Sequence, residues 1–428
     1  MKVLFINDST SNPNWGDRAA AISLKKMVTE SGGNIIEAIS EDELAGSTFL
    51  NKSPINDGEQ QIHQSIVKET LKLFIPPLFL KIRQKIILHS NPPTSDDVIP
   101  QRWEDFDPHL KYVISNKHIY SDLLKAIEKS DLLVIHGDGC MTGCGRIPRA
   151  ELFLSYIVKK HFEKPVIIVN HSADFSNPVL NRMAQEVYPL FDDVVYRDVI
   201  SVERNRKLCN GRFAPDSAYY FKPISKPNWL TVSQRPTYFD VWPDTAHFKP
   251  AEPYICIGGS GIYYYNRNYD AVHGFSLLVE HIRSIYSGQI VLTVSDLRDQ
   301  GIFRPIAIHF NLPLIGLTTP VQQSVDIMGN ADAYIGGRWH PSIFALRGGT
   351  PIISISSNTF MMQALAEMSG LSPAVFDALN LELEKEAIGR QLKNHLEQEN
   401  ELRIKLRKWA EKESEKSWDN VTFLKNMP

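Results

Sequence analysis

The chain has 428 residues, and its 46 Lys and Arg residues nearly balance 49 Asp and Glu residues to give a formal net charge of −3. No overall positive field would draw it to nucleic acid, so we expect no nucleic-acid partner. The hydrophobic fraction of 43% and the charged fraction of 22% exclude a disordered chain, and the length is enough for two or three domains.

The first apolar run, from Lys2 to Ile6, is too short for the core of a signal peptide and is typical of a buried strand. No other run approaches the ~20 apolar residues that span a bilayer. The four cysteines contain no Cys-x-x-Cys pair. We therefore expect a reduced, cytoplasmic protein without a metal site.

Short apolar runs then alternate with amphipathic stretches, a pattern typical of β-α units with parallel strands. In the first half, the predicted strands are Lys2–Asn7, Asn34–Ala38, Asp131–His136, Pro165–Asn170 and Asp193–Arg197. The predicted helices of this half begin near Asp17, Arg149, Asn177 and Asp198.

The same alternation returns in the second half. Its predicted strands are Tyr254–Gly258, Gln289–Val294, Leu312–Ile315, Ala333–Gly336 and Pro351–Ser354, and its predicted helices begin near Asp270, Val321, Pro341 and Thr359. Residues 223–253 are rich in Pro and aromatic residues and are predicted to be a linker. We therefore predict an α/β fold with an N-terminal Rossmann-like domain (1–222) and a second one (254–378) facing it across a cleft.

Two segments depart from this alternation. Residues 51–116 are a predicted helical insertion with helix-like stretches Gln61–Leu73 and Phe79–His89. Residues 61–89 contain basic side chains among apolar ones, which suits either peripheral contact with the inner face of a membrane or packing on the protein itself. Residues 379–428 are a predicted helical tail, with a long charged helix from Leu381 to about Lys416 that packs back on the protein.

The loop after the first strand is the first candidate site. Asn14 and Gly16 permit a tight turn, Asp17 is a candidate N-cap, and Arg18 follows it. A helix that begins just beyond a parallel strand is a frequent ligand site. The alternative is that Asp17 only caps the helix and Arg18 only faces water.

A second candidate is the glycine-rich stretch His136-Gly137-Asp138-Gly139, which follows a buried strand. Glycines there allow a ligand to approach the backbone. The spacing of the later glycines does not fit a dinucleotide fingerprint, and Asn170 stands where an acidic ribose ligand is wanted. We therefore favour a substrate-lining loop over NAD binding.

Two arginines follow predicted strands. Arg197 either binds an anionic substrate through paired hydrogen bonds or forms a structural ion pair with Asp198. Arg338 lies in Gly336-Gly337-Arg338-Trp339-His340-Pro341-Ser342, a strand–turn–helix stretch. Arginine recognises anions by paired hydrogen bonds and histidine transfers protons near neutral pH, so this stretch is the strongest candidate site in the chain.

Together these motifs resemble the polysaccharide pyruvyltransferase family. The resemblance rests on Asn14-Trp15-Gly16-Asp17, Gly137-Asp138-Gly139, Arg197-Asp198-x-x-Ser201, Pro215-Asp216 and, above all, Gly336-Gly337-Arg338-Trp339-His340. The motifs occur in family order between about residues 3 and 370. The family commonly has a lysine where this chain has Ser356–Phe360.

The resemblance implies a two-domain enzyme of the glycosyltransferase-B type that transfers a pyruvyl group from phosphoenolpyruvate to a sugar of a cell-surface polysaccharide such as a capsule or exopolysaccharide, or to its lipid-linked precursor. A pyruvate ketal forms, phosphate leaves, and no cofactor beyond the donor is needed. The implied catalytic residues are His340 for phosphate contact or acid catalysis and Asp17 to orient or deprotonate the acceptor. The implied donor-binding residues are Arg338, Arg197, Gly336, Gly337 and Ser342, and the implied acceptor-binding residues are Asn14, Gly16, Arg18, His136, Gly137, Asp138 and Gly139.

Two alternatives stay open. One is a nucleotide-sugar-dependent glycosyltransferase on the same two-domain scaffold. The other is a glycan-binding relative without catalysis.

Overall fold

The computed structural model describes residues 1–45, 98–116, 120–235, 243–371 and 375–426. Within these ranges the chain forms two parallel β-sheets, each covered by helices on both faces. The predicted α/β fold with two facing Rossmann-like domains is confirmed. The stretches Gln61–Leu73 and Phe79–His89 of the predicted insertion lie outside the described residues.

Sheet 1 belongs to the first domain and has the strand order β2-β1-β3-β4-β5-β6. Its strands are β1 (Lys2–Asp8), β2 (Asn34–Ser40), β3 (Leu132–Thr142), β4 (Val166–Asp174), β5 (Asp193–Tyr196) and β6 (Arg212–Phe213). Its helices are α1 (Trp15–Glu30), α2 (Glu41–Ala45), α3 (Phe106–Ser115), α4 (Ser121–Lys129), α5 (Arg146–Ile157), α6 (Pro178–Val187) and α7 (Val199–Asn205).

Sheet 2 belongs to the second domain and has the order β11-β10-β7-β8-β9. Its strands are β7 (Tyr254–Ser260), β8 (Gln289–Thr293), β9 (Leu314–Ile315), β10 (Tyr334–Gly337) and β11 (Ile352–Ser354). Helix α8 (Lys226–Val232) lies in sequence between the strands of the two sheets. The helices after β7 are α9 (Ala271–Ile285), α10 (Leu297–Phe310), α11 (Val321–Gly329), α12 (Trp339–Arg347), α13 (Met361–Ser369), α14 (Leu381–Glu397), α15 (Glu399–Lys416) and α16 (Thr422–Asn426).

Both sheets have an apolar core on each face, because successive side chains of a strand point to opposite sides. In β1, Leu4 and Ile6 enter one core while Val3 and Phe5 enter the other. These side chains are all fully buried. Such continuous apolar strands are expected in parallel sheets that are covered on both faces.

One local prediction is corrected. The stretch Gly137-Asp138-Gly139 is not a loop, because β3 continues through it to Thr142 with a register irregularity between Asp138 and Met141. Within the predicted linker, residues 223–253, the chain forms helix α8, whose Trp229 is fully buried.

The C-terminal tail returns from the second domain to the first. The predicted long helix is present and is interrupted at Gln398, between α14 and α15. Helix α14 packs against α9, and α15 packs against α12. The last described residues then reach the first domain, where Val421 and Leu424 enter the core behind sheet 1.

The first turns of α1 join the two domains. Trp15, Ala19 and Ala20 share one apolar core with Tyr334 and Trp339 of the second domain. This contact fixes α1, and with it the residues at its N-terminus, against the carboxyl edge of sheet 2. Over the described part of the chain, no helix combines the length and apolar character needed to cross a membrane.

Candidate active site

The carboxyl ends of the two sheets face each other across an interdomain cavity of about 220 Å³. The strand order reverses between β1 and β3 in sheet 1 and between β7 and β10 in sheet 2. Ligands of open α/β sheets bind at such reversals, because the connections diverge there and leave a crevice. Ser9, Gly139 and Arg338, which come from three of these four strands or their ends, line the cavity.

Helix α1 presents Asp17 to this cavity. The N-cap is Asn14, whose Oδ1 accepts from the Gly16 N–H at 2.8 Å, so the expectation that Asp17 is the cap is wrong. Helix α1 consequently begins at Trp15, and the Asp17 carboxyl group is left free of the capping bond. Asn14 and Asp17 both line the cavity.

Arg197 is the centre of a buried ion network. Its Nη1 donates to Asp138 Oδ1 and, at 3.0 Å, to Asp216 Oδ2, while its Nε donates to Ser172 Oγ at 3.1 Å. Only 2% of the side chain is exposed. These bonds occupy the guanidinium with protein partners, which favours a positioning role over the predicted donor-binding role.

The alternative pairing of Arg197 with Asp198 is not formed. The Asp198 carboxylate instead caps α7, accepting from the Ser201 N–H and from the Ser201 hydroxyl, both at 2.7 Å. The Arg197-Asp198-x-x-Ser201 motif therefore has two separate uses, one arginine for the ion network and one cap for the next helix.

His340 lies in the first turn of α12 with a carboxylate beside each ring nitrogen. Its Nδ1 is 3.6 Å from Asp17 Oδ1, and its Nε2 is 3.5 Å from Asp216 Oδ2 and 3.7 Å from Asp138 Oδ1. The neighbouring Trp339 donates its Nε1–H to the same Asp216 oxygen at 2.9 Å. Two adjacent residues of α12 thus converge on Asp216, which holds the ring of His340 in place.

Gly16 leaves the space that His340 occupies. A Cβ atom built on Gly16 would lie 2.2 Å from His340 Nδ1, far inside van der Waals contact. Any larger residue here would push the imidazole out of its position beside Asp17.

Arg338 stands at the end of β10 and is held by two acidic residues of the second domain. Its Nε and Nη2 donate to the two oxygens of Asp299 at 3.2 and 2.8 Å, and Nη2 is 3.4 Å from Asp296. Burial lowers the pKa of Arg338, but these carboxylates outweigh it and hold the pKa above its ordinary value. Nη1 is the guanidinium nitrogen with no hydrogen-bond partner among the described residues, and Arg338 lines the cavity.

The pKa values of the acidic groups in and behind the cavity are shifted in opposite directions. Burial and the charges of Asp138 and Glu41 raise the pKa of Asp17 well above its usual range. Burial raises the pKa of Glu41 to about 7, against a hydrogen bond from Asn12. Burial also tends to raise the pKa of Asp138 and Asp216, but their interactions with Arg197 and His340 outweigh burial and hold both pKa values below the ordinary value.

This arrangement favours the protonated form of Asp17 and the ionised forms of Asp138 and Asp216 around one imidazole. Carboxyl groups whose environments separate their pKa values in this way are suited to distinct acid and base roles. The cavity can therefore both supply and accept a proton.

The same residues also have ligand atoms of metal-binding type. Atoms of Asp17, Asp138 and His340 lie within 4.8 Å of one another. However, the two carboxylates approach opposite nitrogens of the ring, a neutral imidazole has one free lone pair, and Asp138 already accepts from Arg197. The geometry favours a hydrogen-bonded acid–base array over a metal site.

The predicted site residues divide into those that line the cavity and those behind it. Asn14, Asp17, Asp138, Gly139, Arg197, Gly337, Arg338 and His340 line it. Gly16, His136, Gly137, Gly336, Ser342 and Arg18 are not among the described residues that line it.

Three of the excluded residues have clear structural uses. Arg18 donates to the carbonyl oxygens of Leu317 and Thr319, which ties α1 to the second domain. His136 is fully buried and pairs with Asn170 at 3.1 Å, and burial lowers its pKa. The Ser342 hydroxyl donates to the Arg338 carbonyl at 2.8 Å, so it supports the turn that carries Arg338.

Several cavity residues were not predicted. They are the polar or sulfur-containing side chains Asn7, Ser9, Glu41, Cys140, Ser295, Ser357, Asn358 and Met361. Asn7 and Ser295 follow apolar runs at strand ends, so the rule that located Arg338 would also have found them. Ser357 and Asn358 occupy the segment where the resemblance leads one to expect a lysine. Asp299 comes from a helix and carries no such sequence pattern.

The fold is of the glycosyltransferase-B type, with two parallel-sheet domains facing a cleft. Over the whole of both chains it matches UDP-GlcNAc 2-epimerase from Neisseria meningitidis bound to UDP-GlcNAc, with a TM-score of 0.55 and 12% identity. It also matches UGT89C1 from Arabidopsis thaliana complexed with quercetin, with a TM-score of 0.53, 11% identity and coverage of 99% and 98% of the two chains. At this identity the likeness concerns the fold alone.

The family is defined by sequence. Residues 70–359 match the family model described as polysaccharide pyruvyl transferase, which is more than half of the chain. The chain therefore belongs to the polysaccharide pyruvyl transferase family, as the motifs around Arg338 and His340 predicted. No curated protein matches the chain at a significant level.

Proposed function

We propose that this protein transfers the pyruvyl group of phosphoenolpyruvate to two hydroxyls of a sugar in a cell-surface polysaccharide or its lipid-linked precursor. The single observation that carries the proposal is the placement of His340 between Asp17 and Asp216, on the wall of the cavity that Arg338 also lines. Membership of the family supports a pyruvyl group as the group transferred and a polysaccharide as the acceptor. The reaction needs no cofactor beyond the donor.

Arg338 is the proposed anchor of the donor. Phosphoenolpyruvate carries a carboxylate and a phosphate. Nη1 of Arg338, which bonds to none of the described residues, is a donor suited to either. Asp299 holds the guanidinium by its other two nitrogens, so the donor meets an arginine whose plane is already fixed. Fixing it in advance lowers the entropic cost of binding.

Asp17 is the proposed acid, which reverses the base role expected from the sequence. Burial and the charges of Asp138 and Glu41 raise the pKa of Asp17, which favours its protonated form. It donates a proton to C3 of phosphoenolpyruvate as the C2–C3 double bond supplies the electron pair, and C2 becomes electrophilic. A carboxylate remains on Asp17.

His340 is the proposed partner that restores this proton. Nε2 faces the ionised Asp138 and Asp216 as well as Arg197 Nη1, 3.4 Å away, and Arg197 is already bonded to the same two carboxylates. The two carboxylates are proposed to hold the ring proton on Nε2, which leaves the Nδ1 lone pair free. Nδ1 accepts the proton of the first sugar hydroxyl as its oxygen bonds to C2, and passes it to Asp17, 3.6 Å away. A second hydroxyl then displaces phosphate from C2, its proton leaves with the phosphate, and the ketal is complete.

The acceptor is proposed to enter from the side of the first domain. Asn14 and Glu41 line this side of the cavity with groups that hydrogen-bond sugar hydroxyls. A cytoplasmic location, at or near the inner face of the membrane, would suit a lipid-linked acceptor. We extend this proposal to membrane contact through residues 61–89.

The test is to incubate the protein with phosphoenolpyruvate and a panel of surface-glycan oligosaccharides, free and lipid-linked. We expect phosphate release that depends on the acceptor and a product whose mass shows a pyruvate ketal. Arg338→Lys, His340→Gln and Asp17→Asn should each lower turnover at least about 100-fold. The matched control Arg304→Lys, in an exposed ion pair with Asp244, should change it less than about twofold.

Two outcomes would overturn the proposal. Turnover only with a nucleotide sugar would assign the protein to the glycosyltransferases that share its fold. Acceptor binding without turnover of either donor would make it a glycan-binding relative.

A further inference from the structure

We propose that Tyr264 is a positioning residue that holds the Asp296 carboxylate away from Arg338 and so keeps this arginine open to an anionic donor. Tyr264 ends a short 3-10 helix after β7, Asp296 is the N-cap of α10 after β8, and Arg338 follows β10. These three strands are neighbours in sheet 2, so their ends bring the three side chains together. The effect on donor affinity rests on the proposed function, whereas the position of the Asp296 carboxylate does not.

Both oxygens of Asp296 already have hydrogen-bond donors. Oδ1 accepts from the backbone N–H of Arg298 at 3.0 Å, which is the capping bond of α10. The Tyr264 hydroxyl lies 2.8 Å from Oδ1 and 2.7 Å from Oδ2, and among the residues that the structure describes it is the one donor to Oδ2. Burial and the charge of Asp296 raise the pKa of Tyr264 above its usual range, so the phenol keeps the proton that it donates.

The ring of Tyr264 is itself held by arginines. The guanidinium carbon of Arg298 lies 3.3 Å from the centre of the ring, and that of Arg338 lies 5.8 Å from it. Cations over the face of an aromatic ring are attracted to it. These contacts fix the position of the phenol oxygen, and with it the position of the Asp296 carboxylate.

Asp296 and Arg338 form an ion pair without a hydrogen bond. Nη2 of Arg338 lies 3.4 Å from Asp296 Oδ1, but 2.8 Å from Asp299 Oδ1. A charged N–H to carboxylate bond is ordinarily about 2.7–2.9 Å long. Asp299 therefore bonds to the guanidinium, whereas Asp296 stops short of it. The bonds from Tyr264 and from the α10 backbone account for this gap, because they hold the carboxylate from its other side chain neighbours.

Loss of the Tyr264 hydroxyl would release Asp296. Its Oδ2 would have no donor, and a buried carboxylate oxygen without one is costly. Only 15% of the Asp296 side chain is exposed, so water can replace the phenol only in part. Nη1 of Arg338 bonds to none of the described residues and carries the N–H groups and the charge that the carboxylate needs. We expect Asp296 to turn onto Arg338, and a donor anion would then have to displace it.

The first test is the crystal structure of full-length Tyr264→Phe beside that of the wild type. The wild type should show Asp296 outside hydrogen-bond distance of Arg338, and the variant should bring an Asp296 oxygen to about 2.8 Å from Nη1 or Nη2. A carboxylate that keeps its wild-type position in the variant, or that turns to Arg298 instead, would overturn the proposal. This measurement needs neither donor nor acceptor.

The second test separates donor binding from turnover. Tyr264→Phe should raise the KM for phosphoenolpyruvate about tenfold and keep kcat within about twofold, because a bound donor has already displaced the carboxylate. Asp296→Asn keeps a capping side chain for α10 but removes the competing charge, so it should lower this KM about threefold. The double variant should then have the KM of Asp296→Asn within about twofold. The matched control is Tyr286→Phe, which removes a hydroxyl bonded to Asp332 at 2.7 Å away from the cavity and should change neither constant.

The double variant is decisive for the role of Tyr264. A KM as high as that of Tyr264→Phe alone would overturn the proposal, because the hydroxyl would then act by a route other than Asp296. An unchanged KM in Tyr264→Phe would overturn it as well. Absence of turnover in the wild type would count against the proposed function, and the crystal structures would still decide whether Tyr264 holds Asp296 away from Arg338.

Discussion

Replacement of Asp216 by asparagine tests the ion network at its most buried point. One Asp216 oxygen accepts from Arg197 at 3.0 Å and from Trp339 at 2.9 Å, and the other accepts from the Ala218 N–H at 2.7 Å. The new amide would keep the bond to Ala218 through its oxygen but turn its NH2 group toward the two other donors. The substitution has nearly the same volume, so its effect reports charge and hydrogen bonding.

The expected loss follows from the burial of the pair. Removing one partner of a buried ion pair costs about 3–5 kcal/mol, because the remaining charge is left without compensation. Arg197 keeps Asp138 as a second carboxylate, so we expect the lower end, about 3 kcal/mol. Turnover should fall at least about 100-fold, because the charge that favours the His340 ring proton on Nε2 is lost.

The assay is urea unfolding of Asp216→Asn beside a matched control, with turnover measured well below the unfolding transition. Asp193→Asn makes the same change in the Asp193–Arg212 pair, which is more exposed and lies at the other side of sheet 1. The control should lose no more than about 1 kcal/mol. Equal losses in the two variants would refute the reasoning that burial gives the Asp216 network its strength.

Three further predictions concern other parts of the structure. Gly16→Ala should lower turnover about 100-fold by displacing His340. Gly301→Ala, where a Cβ would meet open space, should leave turnover unchanged, and equal turnover in the two variants would contradict the idea that Gly16 leaves room for His340. The pKa of Glu41 is raised to about 7 in the fold, so the fold favours its protonated form, and the protein loses stability as the pH rises through about 7 and Glu41 ionises. Glu41→Gln should therefore be more stable than wild type above that pH, by up to about 3 kcal/mol, as measured by denaturant titrations at several pH values. Asn420→Ala should cost about 3 kcal/mol in the same assay, because two buried backbone groups of the first domain lose their partner; a loss below about 1 kcal/mol would show that water replaces it.

All strands except the short β6 (Arg212–Phe213), and most helices, could be predicted because apolar runs and caps are local features. Helix α10 was missed because Gly301 and Pro305 resemble helix breakers, yet both are accommodated within it. The prediction ended strand β3 too early, because the strand continues through Asp138 in a left-handed conformation that no sequence pattern indicates.

The candidate site shows the same division. Arg338 and His340 could be located because the carboxyl ends of parallel strands carry the ligand-facing groups. The partner of Arg338 could not, because Asp299 lies on helix α10, 39 residues before Arg338, and meets it only after folding. A cation can be predicted from a motif, but whether it is free or already paired depends on the three-dimensional structure.

The returning C-terminal tail has a consequence for how the protein is made. The inner core of the first domain is completed by Val421 and Leu424, which the ribosome adds roughly 200 residues after that domain's last strand. At about 5–20 residues per second, the unfinished face stays exposed for about 10–40 s during synthesis. The first domain is thus begun first and finished last, and for that interval part of its apolar core is uncovered.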